Sequence, residues 1–287
     1  MKWLIIQSDG AHKGQDGWTP NWYLRECYAI QYALVQNNQE ADIWGLRHPN
    51  YSHIPEFGSY DVIFCIENYE TEWLPNLSLV NGPKKIQWII DLHCQRHECY
   101  GKISRDMDIV LHSTKSLMKD YSKLYSNAKH LWFPNGVDDR YFYCRNKEKT
   151  IDISFVGSKN QSRKEFVERL ESEIGLKYYF ATGQDMIDII SSSKIHFNKN
   201  ISVDMNYRIF ETIGLGSCLI TNYDDILSEM GFIDGKNVIT YKTYDEAKDK
   251  IISCLSDENW KSISESGNKL SKEHSYIARI KELLNKL

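Results

Sequence analysis

The sequence predicts an α/β protein with two domains, each built on a mainly parallel sheet. Short apolar runs rich in β-branched and aromatic residues alternate with longer amphipathic stretches along all 287 residues, a pattern typical of parallel strands joined by helices. The length corresponds to about two domains of ordinary size. A polar bridge, Arg145–Thr150, separates two apolar strands near the middle. We therefore expect one domain over residues 1–145 and a second over 146–287.

The first half has the element order of a parallel sheet with crossover helices. Ser113 is a suitable N-cap for one of these helices, because its hydroxyl can accept from the open backbone amides of the first turn. The turn cluster Pro134-Asn135-Gly136 follows the last strand. The predicted strands are Trp3–Gln7, Ala41–Leu46, Asp61–Ile66, Lys85–Ile90, Asp108–His112 and His130–Phe133, and the predicted helices are Asn21–Gln36 and Thr114–Tyr125.

The second half repeats this alternation and closes with a helical stretch over residues 257–287. Two α/β domains joined by a short linker favour a ligand site in the cleft between them, at the carboxyl ends of the strands. The predicted strands are Ile151–Val156, Lys177–Ala181, Lys194–Asn198, Ser217–Thr221 and Asn237–Tyr241, and the predicted helices are Gln161–Ile174, Gln184–Ser191, Tyr207–Leu215 and Tyr244–Ser256.

Composition excludes several classes of protein. Lys and Arg number 35 against 39 Asp and Glu, and residues 1–145 carry 15 basic and 17 acidic side chains, so neither half is a dedicated basic nucleic-acid-binding domain. No apolar run reaches the roughly 18–20 residues that span a bilayer, and no signal-peptide core follows Met1. The seven cysteines include no C-x-x-C pair, as expected in a reduced compartment. We expect a soluble cytoplasmic protein.

A glycine turn at the start of the second domain is a candidate anion site. Gly157 and Ser158 directly follow the strand Ile151–Val156 and precede a helix, so the turn amides are expected to point at whatever occupies it. Arg163, in the first turn of that helix, could add a bidentate contact to phosphate. The alternative interpretation is a simple turn with a helix cap.

A charged pair on a later helix carries the second candidate site. Arg208 and Glu211 are three residues apart, so they share a face of the helix. A carboxylate can accept from both hydroxyls of a ribose, and the planar guanidinium of Arg matches phosphate oxygens. The alternative is a surface ion pair, which is common and contributes little to stability.

Together, these motifs resemble the C-terminal nucleotide-sugar domain of GT-B glycosyltransferases. The resemblance is carried by strand-Gly-Ser-x4-Arg, by Asn206-x-Arg-x-Phe-Glu-x-x-Gly-x-Gly and by a strand ending in Thr221-Asn222. The segment Glu273-His274-Ser275-Tyr276-x-x-Arg279 is similar to the spore-maturation-protein B-like branch. Phage DNA β-glucosyltransferases, in which a strand-Gly-Ser turn and an Arg-x-x-Glu helix hold UDP-glucose, are a second likeness. Pro134-Asn135-Gly136-Val137-Asp138 resembles the phrase that closes many GT-B N-terminal domains.

The resemblance implies two Rossmann-like domains with an interdomain cleft, UDP-glucose as the donor, no prosthetic group and no catalytic metal. By carry-over, Glu211 would bind the ribose. Arg208, Arg163 and the Gly157-Ser158 turn would hold the diphosphate. One departure concerns position 203, where many retaining members have the first carboxylate of Glu-x7-Glu and this chain has Val203 beside Asp204. The motif therefore does not support a retaining assignment.

On the acceptor side, Asp91 is the first candidate for a general base. It follows the strand Lys85–Ile90, where a carboxylate would stand at the cleft, and the junction resembles the base position of the phage enzymes. His93 is the reserve. Asp16 and His12, in a loop with three glycines before Trp18, rank second. Two alternatives compete for the segment after Asp91: a structural loop, and a metal site formed by His93, His97, Cys94 and Cys99.

The predicted function is hexosyl transfer from a nucleotide sugar to an acceptor hydroxyl. A 5-hydroxymethylated pyrimidine in DNA is favoured as acceptor, with a glycan or a protein as the alternative. A non-catalytic nucleotide-sugar sensor and an epimerase of related architecture are the rival classes. Basic residues of the first half could form a local DNA-binding patch; they are Lys13, Arg25, Lys84, Lys85, Arg96, Lys102 and Arg105.

Overall fold

The computed structural model describes residues 1–12, 18–19, 22–68, 71–94, 97–159, 163–203 and 205–287. These residues form two compact units. The first unit combines Met1–Pro134 with Tyr276–Leu287, and the second unit is the continuous segment Asn135–Ser275.

Strands and helices alternate through both units, as predicted. The strands are β1 (Lys2–Ile6), β2 (Ala11–His12), β3 (Trp18–Thr19), β4 (Glu40–Trp44), β5 (Val62–Ile66), β6 (Lys84–Ile89), β7 (Ile109–His112), β8 (Lys129–Trp132), β9 (Ile151–Val156), β10 (Lys177–Tyr179), β11 (Ser193–Phe197), β12 (Cys218–Asn222) and β13 (Ile239–Tyr241). The helices are α1 (Glu26–Gln36), α2 (His97–Ser104), α3 (Lys115–Leu124), α4 (Lys164–Ile174), α5 (Gly183–Ser191), α6 (Tyr207–Gly214), α7 (Asp225–Glu229), α8 (Tyr244–Ser256), α9 (Trp260–Ser271) and α10 (Tyr276–Leu284).

The first unit is built on a six-stranded parallel sheet with the strand order β4-β1-β5-β6-β7-β8. Every residue of β5 and of β7 is buried, as expected of parallel strands covered on both faces. One face packs against α2 and α3 through Tyr100 and Tyr121. Strands β2 and β3 form a separate antiparallel pair.

The second unit is built on a five-stranded parallel sheet with the order β10-β9-β11-β12-β13. Its core joins Phe155 and Phe197 of the central strands to Val167 and Leu170 of α4 and to Ile251 of α8. Strand order reverses on the two sides of β9 and β11, which is where α/β sheets bind ligands, beyond the carboxyl ends of the strands. The predicted α/β class with two parallel sheets is confirmed.

The units divide the chain at points that differ from the predicted boundary. Residues 135–145 lie in the second unit: the side-chain amide of Asn135 donates to the carbonyl of Met205 over 2.9 Å. The last helix, α10, was expected in the second domain but lies in the first unit, where it packs against α1. There the side chain of Asn37 donates to the carbonyl of Ile277. The amphipathic spacing of this segment predicted a helix, but it could not show which of the two units the helix packs against.

Candidate functional site

A cavity of about 310 Å³ opens in the second unit where β9 and β11 end and α6 begins. This volume lies at the lower end of the range for small-molecule sites. The cavity brings together all five residues predicted for the donor nucleotide, whose role in binding stays a prediction. Its lining consists of Phe155, Val156, Gly157, Ser158, Arg163, Asn198, Asn206, Tyr207, Arg208 and Glu211.

The Gly157 turn differs in one detail from the expectation. Gly157 has φ +144°, a conformation that side chains with a β-carbon rarely adopt. Its amide, however, donates to the carbonyl of Tyr179 on the neighbouring strand β10 over 3.1 Å. The expectation that the Gly157 amide itself faces a ligand is therefore wrong: it continues the sheet. Glycine is needed here for the backbone conformation that turns the chain away from β9, and Ser158 is exposed beside it.

Arg163 lies at the N-cap of α4 and is tied to the end of β11. Its Nε donates to the carbonyl of Lys199 over 2.7 Å. Burial, together with the positive charge of Arg163, lowers the pKa of Lys199 below its usual value. The charge of Arg163 disfavours the charged form of Lys199, and an anion bound nearby would relieve this repulsion. Sequence reasoning missed Lys199, although its place directly after an apolar strand was a usable signal.

Arg208 and Glu211 form a mostly buried ion pair on α6. Nη1 of Arg208 lies 2.5 Å from Oε2 of Glu211, and the two side chains are 20% and 15% exposed. Burial raises the pKa of Glu211, and the charge of Arg208 opposes that rise. The guanidinium also contacts the sulphur of Met186 on α5. The pair is thus not an ordinary surface ion pair, because both charges are largely withdrawn from water and line the cavity.

A network of asparagines fixes the start of α6 against the sheet. The side-chain amide of Asn206 donates to Oδ1 of Asn198 over 3.0 Å, and Asn198 in turn donates to the side chains of Thr221 and Asn200. Asn206 is the N-cap of α6, yet its side chain does not cap the helix amides. Its Oδ1 is buried and has no hydrogen-bond partner among the described residues. The network thus holds the start of α6 against the ends of β11 and β12.

A buried histidine lies beneath the charged pair. His196 is fully buried on β11, with Nδ1 2.9 Å from the hydroxyl of Ser154. Burial, and to a smaller extent the positive charge of Arg208, lowers the pKa of His196 well below 6.5. The imidazole is therefore neutral at ordinary pH, and Glu211 remains the group that balances the charge of Arg208.

In the first unit, Asp91 lies where the sequence predicted it, just beyond the carboxyl end of β6. It is half-buried. Its carbonyl accepts from the amide of Cys94 over 2.9 Å, and its own amide lies 3.4 Å from a carboxylate oxygen of Glu67. His93 is also half-buried, with Nε2 3.5 Å from the sulphur of Cys94. Asp16 lies outside the described residues.

The alternative metal site gains no support. Within the described part of the chain, no three His, Cys, Asp or Glu side chains gather in an arrangement that could hold a metal ion. Cys94 is exposed and Cys99 half-buried, and neither forms a disulfide. The side chain of His97 lies outside the described part of the structure.

Among the described residues, the basic side chains proposed for DNA do not gather around Asp91. Lys84 and Lys85 begin β6, so at about 3.3 Å per residue they lie roughly 20 Å along the strand from the Asp91 end. The ammonium of Lys85 is bonded to the carbonyls of Leu77 and Val80. Arg105 donates to the carbonyl of its own helix, and Lys102 lies 3.8 Å from Glu72. Arg25 alone among the described members is near a carboxyl end, donating to Ser8; Lys13 and Arg96 lie outside the description.

Comparisons with known proteins relate the fold of the chain and the sequence of its second half to glycosyltransferases. Its two parallel α/β sheets have the fold of the GT-B glycosyltransferases. Residues 145–285 match the model of a family described as glycosyl transferase-like. The match covers almost all of the second unit, which contains the cavity.

Three solved structures show the breadth of this likeness. The DNA-modifying β-glucosyltransferase, determined with and without UDP-glucose, is similar with a TM-score of 0.69 at 12% identity, over 100% of this chain and 99% of that one. Anabaena HepE in complex with UDP and glucose has a TM-score of 0.66 at 11% identity, over 100% of both chains. Sucrose-phosphate synthase from Thermosynechococcus elongatus has a TM-score of 0.66 at 11% identity, over 99% and 98%.

At these identities the structures establish the fold. A comparison of the sequence with curated proteins finds no match, and the likeness to the spore-maturation-protein B-like branch stays a prediction. Among the helices of the described residues, none has the length and apolar character needed to cross a bilayer.

Proposed function

We propose that the protein is a hexosyltransferase that uses a UDP-sugar, with UDP-glucose as the first candidate, and transfers the sugar to an acceptor hydroxyl. The observation that carries the proposal is the cavity of the second unit, where Arg208, Glu211 and Arg163 line one space at the carboxyl ends of β9 and β11. The family match over residues 145–285 supports the same reaction class.

In the proposed donor complex, Glu211 accepts from the ribose hydroxyls and the arginines hold the diphosphate. One carboxylate oxygen of Glu211 is paired with Arg208, so the second is the acceptor for a ribose hydroxyl. Arg208 and Arg163 then stabilise the charge that develops on the departing diphosphate. Ser158 and the N-terminus of α6 add donors, and the helix dipole favours an anion there.

The proposed reaction needs a base for the acceptor, and Asp91 is assigned that role. Its carboxylate takes the proton of the acceptor hydroxyl, and the oxygen forms a bond to the anomeric carbon of the sugar. The bond from that carbon to the β-phosphate oxygen breaks, and UDP leaves with the electron pair. His93, close to Asp91 in the chain, is the second candidate for the proton acceptor.

Binding and turnover distinguish this proposal from its rivals. Calorimetry with UDP and with UDP-glucose tests the donor site. Incubation with radiolabelled UDP-glucose and a panel of acceptors, followed by separation of products, tests transfer. Tight binding of UDP-glucose without release of UDP in any acceptor mixture would favour a sensor. Conversion to another UDP-hexose without transfer would favour an epimerase.

The acceptor is identified by direct assay, because the positions of the basic residues do not favour one class of acceptor over another. We retain a 5-hydroxymethylated pyrimidine in DNA as the first acceptor to test, with glycans and peptides beside it. After incubation with UDP-glucose, duplexes containing 5-hydroxymethylcytosine or 5-hydroxymethyluracil are digested to nucleosides, and mass spectrometry detects a hexose adduct. A DNA acceptor also implies activity that falls steeply with salt. Transfer to a glycan or peptide, with no adduct on either DNA, would exclude the DNA acceptor.

A further inference from the structure

A buried carboxylate that the sequence did not single out lies beside the proposed base. Glu67 follows β5 in the first unit, is 6% exposed and has φ +33°. A residue other than glycine adopts this left-handed conformation at a cost, and such residues persist where surrounding contacts hold them. Its backbone amide donates to the carbonyl of Trp88 on β6. Glu67 is therefore held in a strained position against the strand that leads to Asp91.

The carboxylate of Glu67 receives hydrogen bonds from the backbone on which Asp91 is mounted. Oε2 accepts from the amide of Ile90 over 2.5 Å, and Oε1 lies 3.4 Å from the amide of Asp91. The hydroxyl of Tyr100 donates to Oε1 over 2.7 Å and lies 3.2 Å from the carbonyl of Asp91. Since an ionised carboxylate only accepts, its two oxygens match these three donors.

The peptide group between Ile90 and Asp91 is also held at its carbonyl oxygen. The hydroxyl of Ser113, which follows β7, donates to the carbonyl of Ile90, and the amide of Ser113 donates to Ile89 over 3.0 Å. Tyr100 is completely buried, and its own carbonyl accepts from Ser104 over 3.0 Å. The backbone at Ile90 and Asp91 is thus fixed by side chains from two neighbouring strand ends and from α2.

We infer that Glu67, together with Tyr100, is a positioning residue for Asp91: the pair fixes the backbone that aims the Asp91 carboxylate at the acceptor hydroxyl. The inference rests on the proposed function. Glu67 is not itself the proton acceptor, because both of its oxygens already face donors and the side chain is buried, whereas Asp91 is half-exposed. A displacement of about 1 Å in a reacting group can lower a rate about a hundredfold, so the support of this peptide affects the rate directly.

The test is a double-mutant cycle on sugar transfer. Glu67→Gln keeps the shape of the side chain but turns one acceptor oxygen into an N–H₂ group that opposes a donor. We expect this variant to lower kcat about 10- to 100-fold and to leave the Kd for UDP within twofold of wild type. In an Asp91→Asn background, we expect Glu67→Gln to lower the rate no further, because the group that it positions is already gone.

The controls separate positioning from a general loss of structure. Glu72→Gln makes the same change of charge on an exposed side chain of the same unit and should leave kcat unchanged. Tyr100→Phe removes one donor to Glu67, and it should lower kcat about 3- to 10-fold with the same lack of effect in Asp91→Asn. Thermal unfolding of every variant reports the stability of the fold.

Each outcome bears on the inference. Wild-type kcat in Glu67→Gln, or an equal loss in the wild-type and Asp91→Asn backgrounds, overturns it while leaving the proposed function intact. Failure of both Glu67→Gln and Tyr100→Phe to fold also overturns it, because the pair would then serve the fold and not the base. Absence of transfer by the wild-type protein with every acceptor refutes the proposed function, and this inference with it.

Discussion

The guanidinium of Arg208 and the carboxylate of Glu211 meet at 2.5 Å across one turn of helix α6. One turn of helix thus presents a cation and an anion to the same cavity. Substitution of either residue has an electrostatic cost, because the charge of the remaining partner is left in a poorly hydrated position.

Glu211→Ala should weaken UDP binding by about 1.5–3 kcal/mol, the range for a hydrogen bond to a charged group, if Glu211 accepts from the ribose. Isothermal calorimetry measures the change. Glu168→Ala is the matched control, because Glu168 is exposed on α4 in the same unit, and it should bind UDP as wild type does. Unchanged UDP affinity in a folded Glu211→Ala protein would remove the ribose role.

Gly157→Ala should destabilise the protein by about 1–3 kcal/mol, since alanine must adopt an unfavourable backbone conformation there, and it should also weaken UDP binding. Space is not the cause: among the described residues, an added β-carbon would meet only the Phe155 ring, at 3.9 Å. Urea unfolding and calorimetry measure the two effects. Gly58→Ala, where an added β-carbon meets no described atom within 4 Å, should have little effect on either. An equal response of the two variants would contradict the argument.

Asp91→Asn should retain UDP affinity and thermal stability but lower transfer by roughly a hundredfold or more, as loss of general-base catalysis implies. The carboxamide preserves the shape of the side chain and removes the proton acceptor. Steady-state release of UDP with the identified acceptor measures the rate. Asp120→Asn, on an exposed side chain of α3, serves as the control. Wild-type turnover in Asp91→Asn would transfer the role to His93 or Asp16.

His112 should make the first unit sensitive to acid. It is fully buried on β7, with Nε2 2.8 Å from Nδ1 of His130. Burial, and secondarily the charge of His130, lowers the pKa of His112 from 6.5 to about 3. Between these values the unfolded chain binds a proton that the folded chain does not, so stability falls as pH falls from about 6.5 toward 3, by up to about 1.4 kcal/mol per pH unit.

The measurement is urea unfolding between pH 7 and pH 4. His112→Gln should show a shallower dependence of the unfolding free energy on pH than wild type. His53→Gln, which replaces an exposed histidine of the same unit, should keep the wild-type slope. If all three proteins share one slope, His112 is not the group responsible.

The fold could be predicted because its signals are local. Buried parallel strands appear as short apolar runs, and the turn at Gly157 and the helix that carries Arg208 are both placed by their neighbours in sequence. The predicted ends of the helices and strands were less accurate: the helix predicted from Asn21 begins only at Glu26. The N-cap of α1 is Arg25, whose side chain does not cap the helix. The sequence therefore lacks the usual capping residue that indicates where a helix begins.

Glu67 could not be assigned from sequence for a different reason. It follows an apolar strand just as Asp91 does, and the same rule points to both residues. What separates them is that the Glu67 carboxylate faces the amide of Ile90 and the hydroxyl of Tyr100. Those contacts join segments that are distant in the chain, and a sequence without its fold does not show them.

The assignment of α10 to the first unit has a consequence for synthesis of the chain. The second unit is an insertion whose two ends are closed on each other by the pairing of Val137 with Ser275. During translation, every residue of this insertion leaves the ribosome before the helix that packs against α1. The inserted unit can therefore reach its native state first. The first unit cannot be completed until α10 has been made, and until then the surface of α1 that packs against α10 stays uncovered.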